Sequence, residues 1–378
     1  MARRTNSTLL GGMSERRFLA RHWQRRALLV RGALPGFQGL FTRASLFALA
    51  SRDDVESRLV VRDGSTYTLE HGPFTGRALR ALPARDWTLL IQGVNLVDHA
   101  ADALLRRFAF IGYARLDDVM ASYAAPGGGV GPHFDSYDVF LLQAFGRRRW
   151  RYGAQSDLSL RPGLPVKILR RFTPRHDAVL EAGDMLYLPP NHAHDGIALD
   201  ACTTYSIGFR APAHQELVEA FLDRLRDTLV VDGRYSDRNA RPAPHPARLD
   251  PKLLRALAAT IARIRWTGAD VQRFIGCHLT EPKPHVTFTP RSPMTHRSFA
   301  ARARRHGLRL DVRTQLLYDG RNVFINGSDV QPPPDALGVL AQLGDARAIG
   351  GEALRRAPAA SMALLHEWHG HGYIEFDD

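Results

Sequence analysis

The chain has 378 residues with 44% apolar and 24% charged side chains, enough length to bury a large core and to divide into two or three domains. Its apolar residues never run to the roughly 20 needed to span a bilayer, and its two cysteines, Cys202 and Cys277, lie too far apart for a disulfide framework or a zinc site. The net charge of +13 is carried almost wholly by arginine; either the arginines are spread over solvated faces, or they form a basic surface that meets RNA or the ribosome.

In chain order, Ser14 caps a helix with Phe18, Leu19 and Trp23 on its apolar side. The basic, nearly acid-free Ala2–Arg4 and Ser14–Arg26 leave a presequence open. No apolar signal-peptide run accompanies them, and the expectation is a cytoplasmic enzyme. Ala27–Arg31 reads as a strand, Leu46–Ala50 as a short helix capped by Ser45, and Ser57–Val61, Thr66–Glu70 and Trp87–Gly93 as strands. Asp102–Phe110 returns to helical periodicity. From Asp118 on, short strands separated by turns predominate: Val119–Tyr123, Val139–Gln143, Arg148–Tyr152, Met185–Leu188 and Thr203–Phe209. That spacing argues for a β-sandwich or barrel.

The pattern changes after Pro212. Gln215–Val230 places Leu217, Phe221, Leu225 and Leu229 on one helical face, and Asp250-Pro251 opens a second helix with Leu253, Leu257, Ile261 and Ile264 inward. The pair serves either as core or as a dimer interface. Asp319-Gly320 marks a hairpin within Leu316–Asn326. Helices at Pro334–Gly344 and Ala359–His369 and a final Tyr373–Phe376 strand then give a winged-helix-like α+β module. The predicted division is a catalytic domain over 1–211, a helical, dimerising region over 212–280, and the module over 281–378.

Chemistry concentrates in two stretches. Gly127–Asp135 ends in His133-Phe134-Asp135, and residues two apart in a strand reach the same side. A histidine pair, His192 and His194, sits in a turn after the Met185–Leu188 strand. Two imidazoles and a carboxylate form the facial triad of non-heme iron(II) oxygenases, leaving positions for a 2-oxo acid and dioxygen. Either His192 or His194 can be the third ligand. In Arg147–Arg151, strand alternation sets Arg148 and Trp150 against Arg147, Arg149 and Arg151. A buried arginine needs a carboxylate, and the distal carboxylate of 2-oxoglutarate supplies one to Arg148 in bidentate geometry. Ser122 or Tyr123 can add a hydroxyl.

The stretch Gly127–Gly153, GGGVGPHFDSYDVFLLQAFGRRRWRYG, resembles the iron-binding core of the bacterial ribosomal oxygenases, a Jumonji-C branch of the cupins. The likeness extends to Phe18–Trp23, Asp54–Leu59, Asp117–Met120 and Tyr205–Pro212. The resemblance implies a mainly β fold with added α: a double-stranded β-helix barrel, a helical region that makes a homodimer, and a winged-helix-like C-terminal domain. It implies iron on His133, Asp135 and His194, 2-oxoglutarate on Ser122 and Arg148, and dioxygen as second cosubstrate. It further implies hydroxylation of an arginine β-carbon on large-subunit ribosomal protein sixteen. Asp117, Asp118, Asp138 and Asp195 are candidate acids at the cleft mouth, with Tyr137 and Asp138 nearest the substrate guanidinium. The residues leave two other readings: an oxygenase acting on an RNA base, and a metal-binding cupin that binds ribosome or RNA without turnover.

Overall fold

The computed structural model describes residues 8–238 and 240–378, so the basic Ala2–Arg4 lies outside them. Strands β1 (Leu28–Val30), β2 (Ser57–Asp63), β3 (Thr66–His71), β4 (Trp87–Ile91), β5 (Leu116–Ala124), β6 (Val139–Gln143), β7 (Arg148–Ala154), β8 (His176–Leu180), β9 (Met185–Leu188), β10 (His192–Ala198) and β11 (Cys202–Phe209) build the N-terminal half. Eight of them form one antiparallel sheet in the order β1-β9-β6-β11-β5-β4-β2-β3, and the other three a second sheet, β10-β7-β8. The interleaved order is that of a double-stranded β-helix.

Side-chain alternation gives each strand of the large sheet two jobs. Val139, Leu141, Leu186 and Leu188 face the small sheet and pack on Trp150, Tyr152 and Leu180. Their neighbours Phe140, Leu142 and Tyr187 point the other way, into a larger core with Phe18, Phe108 and Phe209. Helices α1 (Glu15–Arg21), α2 (Arg43–Ala50), α3 (Gly76–Arg80) and α4 (His99–Arg106) accompany this half, and each buries at least one apolar side chain.

The helix starts predicted near Ser45 and Asp102 shift upstream. Thr42 caps α2, accepting from the Ser45 amide at 3.2 Å. Asp98 caps α4, accepting from the Ala101 amide at 2.9 Å. In both cases an earlier side-chain oxygen in extended backbone reaches the orphan amide first, which leaves Asp102 free for another task described below.

Beyond the barrel come α5 (His214–Thr228), α6 (Pro251–Ile261) and α7 (Gly268–Thr280). On the apolar face of α5 the Phe221 ring stands edge-on to Trp266 and Phe274 at 5.7 and 5.2 Å. The inward-facing expectation for α6 fails: Leu257 and Ile261 are exposed on this chain. α7 was not foreseen, although Thr267 and Asp270 form a capping box at its start. The C-terminal part holds α8 (His296–His306), two three-stranded sheets, further helices at Leu337–Ala346, Gly351–Arg355 and Ala359–Gly370, and the predicted hairpin pairing Asp319 with Asn322. Phe299, Leu308, Leu340, Leu365 and Trp368 form its core.

Arg347 fastens this part to the barrel half. Its Nε donates to Asp102 Oδ2 at 3.2 Å, and Nη1 and Nη2 donate to the Thr314 and Asp311 carbonyls at 3.0 Å each. Among the described residues no helix is long and apolar enough to cross a membrane.

Candidate active site

The glycine loop brings the first two candidate ligands to the edge of the small sheet. The Gly129 Cα passes so close to β10 that a Cβ there would sit 2.5 Å from the Gly196 carbonyl oxygen. Only hydrogen fits, and the chain then runs beside β10. His133 and His194 exchange both backbone hydrogen bonds, at 2.9 and 2.8 Å. Their rings lie 4.2 Å apart between centroids, and Asp135 Oδ2 stands 3.6 Å from His194 Nε2. The potential ligand atoms of His133, Asp135 and His194 all lie within 4.8 Å of one another.

Both imidazoles are set for ligation. His133 Nδ1 donates to the Gly131 carbonyl at 2.8 Å and His194 Nδ1 to the His192 carbonyl at 2.8 Å. Each Nε2 therefore carries the free lone pair, and the second hydrogen bond holds the ring in place. Burial, reinforced by the neighbouring His133, pulls the His194 pKa down to about 4, so the ring is neutral at physiological pH, the form a metal needs.

His192 does not join this cluster. The predicted turn is in fact the start of β10, paired with Ala154. The strand places His192 one pleat, about 7 Å, from His194 on the same side, while Asp195 takes the opposite side and meets Arg151 at 2.5 Å.

The cosubstrate end lies deeper. Arg148 pairs with Ala198 on one side and Leu180 on the other, and its side chain is inside the barrel, 5% exposed. Its Nε and Nη2 are buried without any protein partner. A buried cation left in that state costs several kcal/mol, and a carboxylate held bidentately is the group that repairs it. Arg147 and Arg149 are on the outer face, bound to Asp200 at 2.8 Å and Asp177 at 2.5 Å. Ser122 is buried on the inner side of β5, where its Oγ donates to the Thr204 carbonyl at 3.2 Å. Tyr123 points away, into the outer aromatic core with Trp87 and Phe47. The site residues thus fit an iron ion at the rim and a dicarboxylate reaching down to Arg148.

The mouth of the barrel was only partly foreseen. Tyr137 is 39% exposed there. Burial and the carboxylates of Asp135, Asp118 and Asp117 push its phenol up, so it stays a neutral hydroxyl. Asp118 Oδ2 accepts from Gln92 Nε2 and Lys283 Nζ, each at 2.8 Å. Asp117 is 3.3 Å from the same lysine and 3.8 Å from Arg210; burial and the adjacent Asp118 push its carboxyl up. Arg58 donates to Gln92 Oε1 at 3.0 Å. Gln92 and Lys283 carry no local motif, and Arg58 lies within the Asp54–Leu59 likeness; strand pairing and a distant segment bring them together here.

Asp138 is a correction. Just ahead of β6, it turns out of the barrel, where it accepts from Tyr187 Oη at 2.6 Å and Gln24 Nε2 at 3.0 Å and lies 3.7 Å from Arg115. Asp195 is likewise on the far side of its strand. Only Asp117 and Asp118 of the four predicted acids stand near the mouth. Beside them opens a cleft of about 510 Å³ lined by Asp117, Arg210, Pro212, His278, Glu281 and Lys283.

With this geometry in view, known proteins can be compared. Residues 103–217 match the family model described as a JmjC domain, and residues 263–375 the one described as a ROXA-like winged helix. The ribosomal protein uL16 3-hydroxylase of Escherichia coli K12 is 34% identical over 322 residues, which cover 84% of this chain and 85% of that protein. A probable ribosomal oxygenase of Haemophilus influenzae is 35% identical over 206 residues, covering 53% of this chain and 51% of its own. The structure of YcfD, a ribosomal oxygenase from E. coli, in complex with cobalt and 2-oxoglutarate superposes with a TM-score of 0.79 at 31% identity, over 96% of this chain and 97% of that one. Barrel, winged helix and near full-length identity agree, and the chain belongs to the JmjC-domain ribosomal oxygenases.

Proposed function

We propose that this protein is an iron(II)- and 2-oxoglutarate-dependent hydroxylase acting on the β-carbon of an arginine in the large-subunit ribosomal protein uL16. The observation that carries the oxygenase part is Arg148: a buried guanidinium with unpartnered donors, inside the barrel whose rim holds the His133–Asp135–His194 cluster. The substrate rests on the likeness to the uL16 3-hydroxylase. His133, Asp135 and His194 hold iron. Arg148, with the Ser122 hydroxyl, takes the distal carboxylate of 2-oxoglutarate. When bound, iron and 2-oxoglutarate together convert dioxygen into one hydroxyl on the substrate, with succinate and carbon dioxide as coproducts.

The protein's own contribution is positioning and exclusion of water. An arginine whose β-carbon reaches the iron extends its guanidinium several ångströms further. Asp118 is the carboxylate near enough to the mouth to meet it, and Tyr137 offers a neutral ring face and hydroxyl. The 510 Å³ cleft beside them gives the flanking polypeptide a path. Catalysis belongs to 1–211, assembly to 212–280, and the winged-helix-like domain to 281–378. Exposed Val218 and Leu222 on α5 and Leu254, Leu257 and Ile261 on α6 form an apolar surface suited to a second copy, and we assign the homodimer contact to it. The site of action is the cytoplasm, where ribosomal proteins are made and assembled.

The deciding experiment is mass spectrometry of ribosomal proteins incubated with enzyme, iron(II) and 2-oxoglutarate. The expected result is a gain of one oxygen on an arginine of uL16. Oxygen gained only by RNA would replace the protein substrate with a base. No oxygen gain anywhere, with iron still bound, would leave the non-catalytic cupin reading, which the unpartnered Arg148 argues against.

A further inference from the structure

Several of this chain's arginines are matched by acids. Arg31 meets Asp184, Arg62 meets Asp86, Arg147 meets Asp200, Arg273 meets Asp329 and Arg313 meets Asp311. The segment Glu15–Arg26 concentrates arginine instead. It carries Arg16, Arg17, Arg21, Arg25 and Arg26 against one carboxylate, Glu15. All five arginines are exposed.

The segment is also held in a fixed shape. Phe18 is fully buried against Phe110, Phe140 and Tyr187, which turns the side of α1 bearing Arg16 to solvent. Arg17 and Arg21, four apart, share one edge of the helix. After the helix the chain folds back: Arg25 donates to the Ala20 carbonyl, and Arg26 Nε donates to the Arg21 carbonyl at 2.8 Å. Two more guanidinium groups are thereby drawn onto the helix C-terminus beside Arg21. Trp23 stacks on Tyr187 at 5.8 Å, and Gln24 is tied to Asp138 at 3.0 Å, so the turn is anchored in the core. Like charges held this close repel, and the C-terminal end of a seven-residue helix offsets only part of the cost. A polyanion removes it.

We propose that the Arg16–Arg26 face binds the phosphate backbone of RNA. Guanidinium groups grip phosphate oxygens in bidentate fashion, and a row of five suits a polymer with a charge at every repeat better than an isolated carboxylate. The face lies on the outer side of the large sheet, away from the triad, so RNA bound there leaves the active-site cleft open. The proposal goes beyond hydroxylation and does not depend on it, because binding is read without turnover.

The test is fluorescence anisotropy of the full-length protein with a labelled single-stranded RNA of about 20 nucleotides, at several salt concentrations. Contacts to about five phosphates predict a log–log salt slope near −3.5, so affinity falls roughly a hundredfold between 50 and 200 mM salt. Arg16→Gln/Arg17→Gln, which spares the two arginines bonded to backbone, should reduce the slope by about 1.4 units and leave the thermal unfolding midpoint unchanged. The variant with all five replaced should lose most of the binding. Arg297→Gln/Arg304→Gln/Arg305→Gln on α8, another exposed basic stretch, should bind as wild type. Unchanged slope in the Arg16/Arg17 variant, no RNA binding at 50 mM salt, or capture by acidic phospholipid vesicles but not by RNA would each overturn the proposal.

Discussion

At the scale of single residues, the proposed site depends on which nitrogen and which oxygen is free. His133 and His194 each spend Nδ1 on a backbone carbonyl and keep Nε2 for a ligand. Replacing His133, Asp135 or His194 by Ala should therefore abolish iron binding and succinate formation. The thermal midpoint should drop by only a few degrees, since these groups sit at the rim rather than in the aromatic core. His192→Ala should retain iron, because its ring stands one pleat away. Iron titration of the four variants checks this: loss of iron in His192→Ala together with its retention in His194→Ala would refute the assignment.

At the scale of the element, β7 separates the proposed cosubstrate anchor from surface charge within three residues. Arg148 is inside the barrel while Arg147 and Arg149 are on the outside with carboxylate partners. Arg148→Ala removes one side of a buried charge pair, worth about 3–5 kcal/mol, so the apparent affinity for 2-oxoglutarate should fall at least about a hundredfold. Arg147→Ala and Arg149→Ala break exposed, solvent-screened pairs that contribute little and should leave that affinity within a factor of about two. Calorimetric titration of 2-oxoglutarate into the iron- or manganese-loaded variants distinguishes them. Equal losses at all three positions would mean that alternation does not govern this strand.

The strand rule also accounts for the misplaced acids. Period-two parity carried back from β6 puts Asp138 on the side of Phe140, where Tyr187 lies, and its buried bond to Tyr187 is on that side. His192 and His194 looked like a turn because Asn191, with φ 62°, and the prolines before it break the pattern just ahead of β10.

At the scale of the whole molecule, two contacts between distant segments reach toward function. Lys283, from the start of the C-terminal part, holds Asp117 and Asp118 at the mouth. Arg347 joins Asp102 of α4 to the carbonyls of Asp311 and Thr314. Burial, with Arg106 nearby, pulls the Arg347 guanidinium down to about 10, so it is still charged at neutral pH. Arg347→Met should leave Asp102, among the described residues, with Arg106 alone as cationic partner and loosen the C-terminal part, seen as faster protease cleavage near 281–296 and a lower thermal midpoint. Unchanged proteolysis would mean that the packed apolar core alone holds the domain. The proposed homodimer contact predicts that Leu257→Glu/Ile261→Glu on α6 shifts the protein to monomer in sedimentation, whereas the same change should not disturb iron or 2-oxoglutarate binding.

The chemistry of the candidate site was legible in the sequence because strand geometry is local. His133 and Asp135 are two apart, Arg148 and Trp150 are two apart, and a period of two predicts each pair's common side without knowledge of the fold. The amphipathic face of α5 and the Asp319-Gly320 hairpin are readable for the same reason. What depends on long-range strand pairing was not. His194 reaches His133 across 61 residues of chain only because β10 pairs with the strand edge there; Gln92 comes to Asp118 from the end of the neighbouring strand β4 and Lys283 from a distant segment; and α6 keeps its apolar face exposed on the single chain. Local periodicity determines which side a residue takes, while the choice between His192 and His194, the partners of each acid, and the surfaces left open are decided by the free energy of packing the whole chain.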